Sequence, residues 1–111
     1  MSAGVVVVDL ADGPVEVPAE RSARTLLKTE TMSVTRITLA AGAEIAEHRA
    51  RGAITVHVLA GDVRFSAGGD DHELGPGRLL YLEPGVPHRV SSRGGGSFLL
   101  TVAFTSRQGD P

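Results

Sequence analysis

The chain contains no cysteine among its 111 residues. That absence excludes disulfides, thiolate metal sites and a cysteine nucleophile, and it fits a cytoplasmic location. Long hydrophobic runs are missing as well. The longest β-branched cluster is Val5, Val6, Val7 and Val8. It has no basic segment ahead of it and falls far short of the ~20 apolar residues that a membrane-spanning helix needs, so neither a signal peptide nor a membrane partner is expected. Excess charge of one sign is lacking too. Eleven basic and 13 acidic residues leave a net charge of -2. Nothing there attracts nucleic acid or an anionic membrane. No Gly-x-x-x-x-Gly-Lys-Ser/Thr run is present, so the glycine-rich segments are not a phosphate loop. The Ser91-Ser92 pair has no activating base at a recognisable spacing.

Helical periodicity is weak throughout. Only residues 19–28 could form a helix, and within them Arg24-Thr25-Leu26-Leu27 could equally be a strand. What the chain does have is frequent turn chemistry: Asp12-Gly13-Pro14, Ala60-Gly61-Asp62, Gly68-Gly69-Asp70-Asp71, Gly75-Pro76-Gly77, Pro84-Gly85 and Gly94-Gly95-Gly96. Short β-rich runs lie between these turns. They cover residues 5–8, 15–17, 33–39, 54–59, 63–67, 78–82, 88–91 and 97–104. Many short strands at regular spacing predict an all-β sandwich or barrel. The four valines read as a buried first strand. Gly68-Gly69 reads as the tip of a hairpin returning through residues 72–74. The polar tail 106–111 is expected to be disordered. The length fits one domain, 1–111, with hydrophobic residues at 41%. A core of that size is modest, so a homodimer is expected.

Chemistry concentrates in two histidine-bearing segments about forty residues apart. Gly42-Ala43-Glu44-Ile45-Ala46-Glu47-His48 runs on to a strand that ends at Gly61. Gly77-Arg78-Leu79-Leu80-Tyr81-Leu82-Glu83-Pro84-Gly85-Val86-Pro87-His88 follows it. In order and spacing they resemble the two signature motifs of the cupin superfamily, about 42–61 and 77–92. The resemblance is closest to small single-domain, RmlC-like cupins. It implies a double-stranded β-helix, or jelly-roll, barrel, with His48 and His88 converging inside it.

In metal-binding cupins two early histidines, a glutamate and a late histidine hold one divalent ion. The resemblance therefore implies a transition metal (Zn, Mn, Fe or Ni) on His48 and His88. Alignment puts Ala50 at the second histidine position and Ile54 at the glutamate position, and neither residue can ligate. Glu83 occupies the proline position of the second motif, with Pro84 next, and Ser92 its asparagine position. Two neutral imidazoles carry no charge to offset a dication.

His57 sits on the strand of Ile54. Strict alternation turns it outward, into an interface between subunits, and a bulge would turn it inward as a third ligand. His72 reads as a surface residue beside a hairpin tip, and Glu47 as pointing away from His48. Tyr81 could line the pocket or pack outside. Arg36 could bind an acidic ligand or face water.

Two functions follow. One is a small-molecule-binding cupin with a degenerate metal site. The other is a metal-dependent enzyme (a dioxygenase, isomerase, lyase or cyclase) using a non-standard histidine centre on a small organic substrate. A third, a metal-free isomerase with a histidine base, lacks a carboxylate to orient that base.

Overall fold

The structure is a computed structural model, and it describes residues 4–10 and 20–104. Nine strands account for its regular structure: β1 Arg21–Lys28, β2 Met32–Leu39, β3 Glu44–His48, β4 Ile54–Gly61, β5 Val63–Ala67, β6 Asp70–Leu74, β7 Leu79–Leu82, β8 His88–Ser91 and β9 Gly96–Ala103. No helix forms among the described residues, so none there is long and apolar enough to cross a membrane. The strands make two antiparallel sheets. One runs β1-β2-β9-β4-β7 and the other β3-β8-β5-β6. This is the all-β, jelly-roll architecture expected from the sequence.

Alternation explains which face each strand buries. On β4, Ile54, Val56 and Val58 are buried, while His57 is exposed. On β5, Val63, Phe65 and Ala67 are buried in the same rhythm. A period of two sends every second side chain to one face. These residues meet Leu39, Val90 and Phe98 between the sheets to form one core. Burying each large apolar side chain contributes about 1.5–3 kcal/mol. Truncating Phe98, 1% exposed, would leave a cavity and cost about 3–5 kcal/mol.

Gly61 closes the first motif for a steric reason. Its φ is +73°, and a Cβ there would sit 2.1 Å from the Gly95 carbonyl oxygen. Only glycine meets both conditions. That lets β4 pass directly into β5 beside the 92–95 loop.

Two expectations are corrected or decided here. Residues 5–8 are not a buried strand. They form no ladder, and Val5, Val6, Val7 and Val8 are 57%, 68%, 88% and 37% exposed. β-branched residues favour a strand only when a neighbouring strand supplies the ladder, and no sheet edge takes this segment up. At its end Arg36 Nη1–H donates to the Leu10 carbonyl at 2.9 Å. Of residues 19–28, open between helix and strand, Arg21–Lys28 form β1, which pairs with β2 across a bulge between Thr25 and Leu27. β3 is a further strand that the sequence pattern did not separate from its loop. The run 15–17 and the tail 106–111 lie outside the described residues.

Candidate functional site

His48 ends β3 and His88 opens β8, and the two residues face each other in the antiparallel register. That facing depends on an irregularity. Ile45 pairs with Val90 and His48 with His88, so three steps on β3 match two on β8. The extra residue is a bulge. It turns His48 to the same side as Ile45, where strict alternation would have turned it away.

The two imidazoles meet edge to face, with centroids 4.2 Å apart and planes at 65°. Their Nε2 atoms are 3.1 Å apart. His48 Nδ1–H donates to the Ala46 carbonyl at 2.8 Å, and His88 Nδ1–H donates to the Val86 carbonyl at 3.0 Å. A carbonyl oxygen can only accept, so both contacts place the ring proton on Nδ1. Each neutral ring then presents a bare lone pair at Nε2, and the two lone pairs face each other. Three N–H bonds would satisfy all three contacts, and two neutral imidazoles carry only two.

His88 is 3% exposed and stacks on Phe65, with centroids 5.2 Å apart and planes at 16°. Burial holds its pKa below the usual histidine value. The Val86 carbonyl opposes that shift, and nearby His48 adds to it. His48 is the exposed member of the pair.

The pair sits in a cavity of about 370 Å³ between the sheets. Ile37, Ile45, Ile54, Val90 and Leu100 join Phe65 and Phe98 as its apolar walls. Arg21, Ser22 and Ala23 of β1 complete the lining. Among the described residues no carboxylate lines it. A wider open trough of about 800 Å³ runs between β6 and β7, past Asp70, His72 and Tyr81. It contains neither His48 nor His88, so its size does not make it the site.

The other sequence candidates fall outside the cavity. His57 is exposed, in register with Leu79 and Leu99, while Ile54 of the same strand lines the cavity. Tyr81 is 60% exposed, and His72 and Glu47 are exposed. Arg36 bonds the Leu10 carbonyl and not a cavity group.

The donor set does not fit a resident metal. Among the described residues no three His, Cys, Asp or Glu side chains gather where they could hold an ion. Ile54 stands in the wall as hydrocarbon. Two neutral donors are fewer than the three or four protein ligands of a stable site.

Sequence reasoning missed Phe65, Arg21 and Asp62, and noted Ser92 without its role. Phe65 and Arg21 line the cavity. Asp62 and Ser92 organise the other end of the barrel. Ser92 Oγ–H donates to the Asp62 carbonyl at 2.7 Å and lies 3.1 Å from its Oδ1. The peptide N–H groups of Arg93 and Gly94 donate to Oδ1 at 2.9 Å and Oδ2 at 3.1 Å. Those bonds, chiefly the one from Arg93, lower the Asp62 pKa against the opposing effect of burial. The readable signal was Ser92 at the asparagine position of the second motif.

Comparison with known proteins gives the following. The family model described as cupin domain matches residues 35–104. No curated protein matches the chain. Among solved structures, a cupin superfamily protein from Desulfitobacterium hafniense superimposes with a TM-score of 0.78 at 15% identity, covering 82% of this chain and 84% of that one. An RmlC-like cupin from Desulfovibrio desulfuricans gives 0.77 at 21%, covering 89% and 96%. The DMSP lyase DddQ from Ruegeria pomeroyi gives 0.73 at 18%, covering 79% of this chain and 49% of that one. At these identities the likeness is one of fold.

Proposed function

The chain belongs to the cupin domain family, and from that premise we propose that it is a small-molecule-binding cupin whose ligand docks against His48 and His88 without a resident metal. The observation that supports this is the 370 Å³ apolar cavity with two convergent Nε2 atoms as its polar anchor. Ligand pockets are typically apolar, of about 300–1,000 Å³, with a few convergent polar groups. Family membership alone does not choose between binding and catalysis, since cupin neighbours include a lyase.

Elemental analysis of untagged protein, paired with a thermal-shift screen of small organic compounds, tests the reading. Metal-free protein with hits that weaken in His48→Ala is the expected result. A stoichiometric transition metal that is lost in His88→Ala would overturn it in favour of the metal-dependent enzyme.

The partner we propose for the outer face of the larger sheet is a second copy of the chain. Leu79 and Tyr81 are 65% and 60% exposed on edge strand β7, beside His57 and Leu99. Exposed apolar residues grouped on one sheet face favour association. Sedimentation at micromolar concentration should give twice the 11.5 kDa chain mass, and Leu79→Glu should lower it. A wild-type mass equal to one chain would refute the dimer.

A further inference from the structure

The hydrogen-bond inventory of the histidine pair, together with the walls around it, narrows what the cavity can take. Both Nδ1–H groups are committed to backbone carbonyls. The two Nε2 atoms therefore converge as acceptors, 3.1 Å apart, with one hydrogen too few between them. A ligand that points another acceptor at them makes the shortage worse. A carboxylate does so at neutral pH, because it has already lost its proton; Arg21 in the lining offers it a counter-charge, which makes a carboxylate the rival to test against. An ammonium would supply hydrogen, but among the described residues no carboxylate lines the cavity to balance its charge, and Arg21 lines it already. Burying an unbalanced cation is costly. An ether or a hydrocarbon leaves the shortage unchanged. A sugar would bury several hydroxyls against Ile37, Ile45, Ile54 and Leu100, more than Arg21, Ser22 and the histidine pair can partner. What remains is a hydroxyl on an apolar frame, and an acidic hydroxyl gives the strongest bond to an imidazole. Phe65, stacked on His88 and 1% exposed, offers an aromatic wall.

We propose that the cavity takes a compact phenol or enol, whose O–H meets the Nε2 pair and whose ring or hydrocarbon body lies against the apolar walls. This rests on the small-molecule reading of the same cavity. The O–H hydrogen is shared with, or passed to, one Nε2. If it passes, the O–H bond breaks, an N–H bond forms, and the oxygen keeps the electron pair beside the resulting imidazolium. A phenol still carries its proton at neutral pH, since its pKa lies near ~10 as in tyrosine.

Three probes with one frame test the class: 4-ethylphenol, 4-ethylanisole and 4-ethylbenzoate, titrated into the protein by calorimetry at pH 7.5. The phenol should bind about tenfold or more tightly than the other two, the worth of one good hydrogen bond. His48→Ala should erase that preference while the anisole still binds. His48 is exposed, so this variant should keep its fold. Nitrogen NMR of the wild-type imidazoles gives a check that needs no variant, and both free rings should show the Nδ1–H form. Equal affinity for phenol and anisole would overturn the ligand class and leave the pocket reading standing. Tightest binding of the benzoate would overturn it in favour of an anion site. An Nε2–H form in either free ring would remove its basis. No binding of any probe, with no hit in the wider screen, would sink both the class and the pocket reading.

Discussion

Ser92 and His88 bracket the same strand, β8, and each is 3% exposed. Equal burial alone would give the two polar side chains the same job. Their surroundings differ. The Ser92 hydroxyl finds Asp62, its peptide N–H finds the Ala43 carbonyl at 3.1 Å, and its carbonyl accepts from Gly42 N–H at 2.8 Å. Everything around Ser92 is satisfied by the chain itself. His88 has one satisfied nitrogen, and its other lone pair faces the lone pair of His48. A buried polar group with all its partners supplied stabilises the fold. One left short of a hydrogen, at the edge of a cavity, is arranged for something the chain does not contain. The barrel therefore has a tied end at Asp62 and a receptive end at His48.

The sharpest way to break this contrast is to cut the tie. Asp62→Ala removes the carboxylate that accepts from the Arg93 and Gly94 N–H groups, while Ser92 Oγ keeps its bond to the Asp62 carbonyl, and it should cost about 2 kcal/mol in urea unfolding. Ligand binding at the far end should stay intact. A loss of binding equal to the loss of stability would show that the two ends are not separate. Ser92→Ala should cost about half as much, ~1 kcal/mol, because Asp62 keeps its two peptide donors.

Acid titration separates the ends by pH. His88 has a folded pKa below its unfolded value, about 6.5. Its contribution is complete above ~6.5 and is lost as the pH falls from there through the folded value. Asp62, also lowered, contributes fully above its unfolded value near ~3.9 and loses that contribution as the pH falls through its folded pKa. Unfolding followed against pH should show an upper loss that disappears in His88→Phe and a lower one that disappears in Asp62→Asn. A single step unaffected by either variant would contradict the assignment.

The smallest effect on stability belongs to His48→Ala. The side chain is exposed, so stability should stay within about 0.5 kcal/mol, while the phenol preference in calorimetry disappears. A large loss of stability would make His48 a structural residue like Ser92.

Much of the fold was legible along the chain. β2, β4, β5 and β8 show themselves through β-rich runs between turn residues, and β4 and β5 bury side chains in the period of two that a half-buried strand requires. Gly61 was legible as a motif glycine, although its reason, the Gly95 carbonyl, is 34 positions away. Residues 5–8 misled because strand propensity describes a residue and a ladder needs a neighbour. β1 was ambiguous because Arg21–Lys28 has an irregular exposure pattern and a bulge.

The sequence by itself determined the class of barrel, the two histidines, and the loss of ligating side chains at Ala50 and Ile54. Those are matters of residue identity and spacing. That His48 and His88 converge was implied by the motif resemblance, but tertiary structure decided the means: one extra residue in β3 reverses the alternation at His48. It also decided that both Nδ1 atoms find carbonyls, which leaves two lone pairs opposed across 3.1 Å. A ring's proton placement depends on what lies within hydrogen-bond reach of each nitrogen, and the partners that pose the question here, His48 and His88, are forty positions apart in the chain.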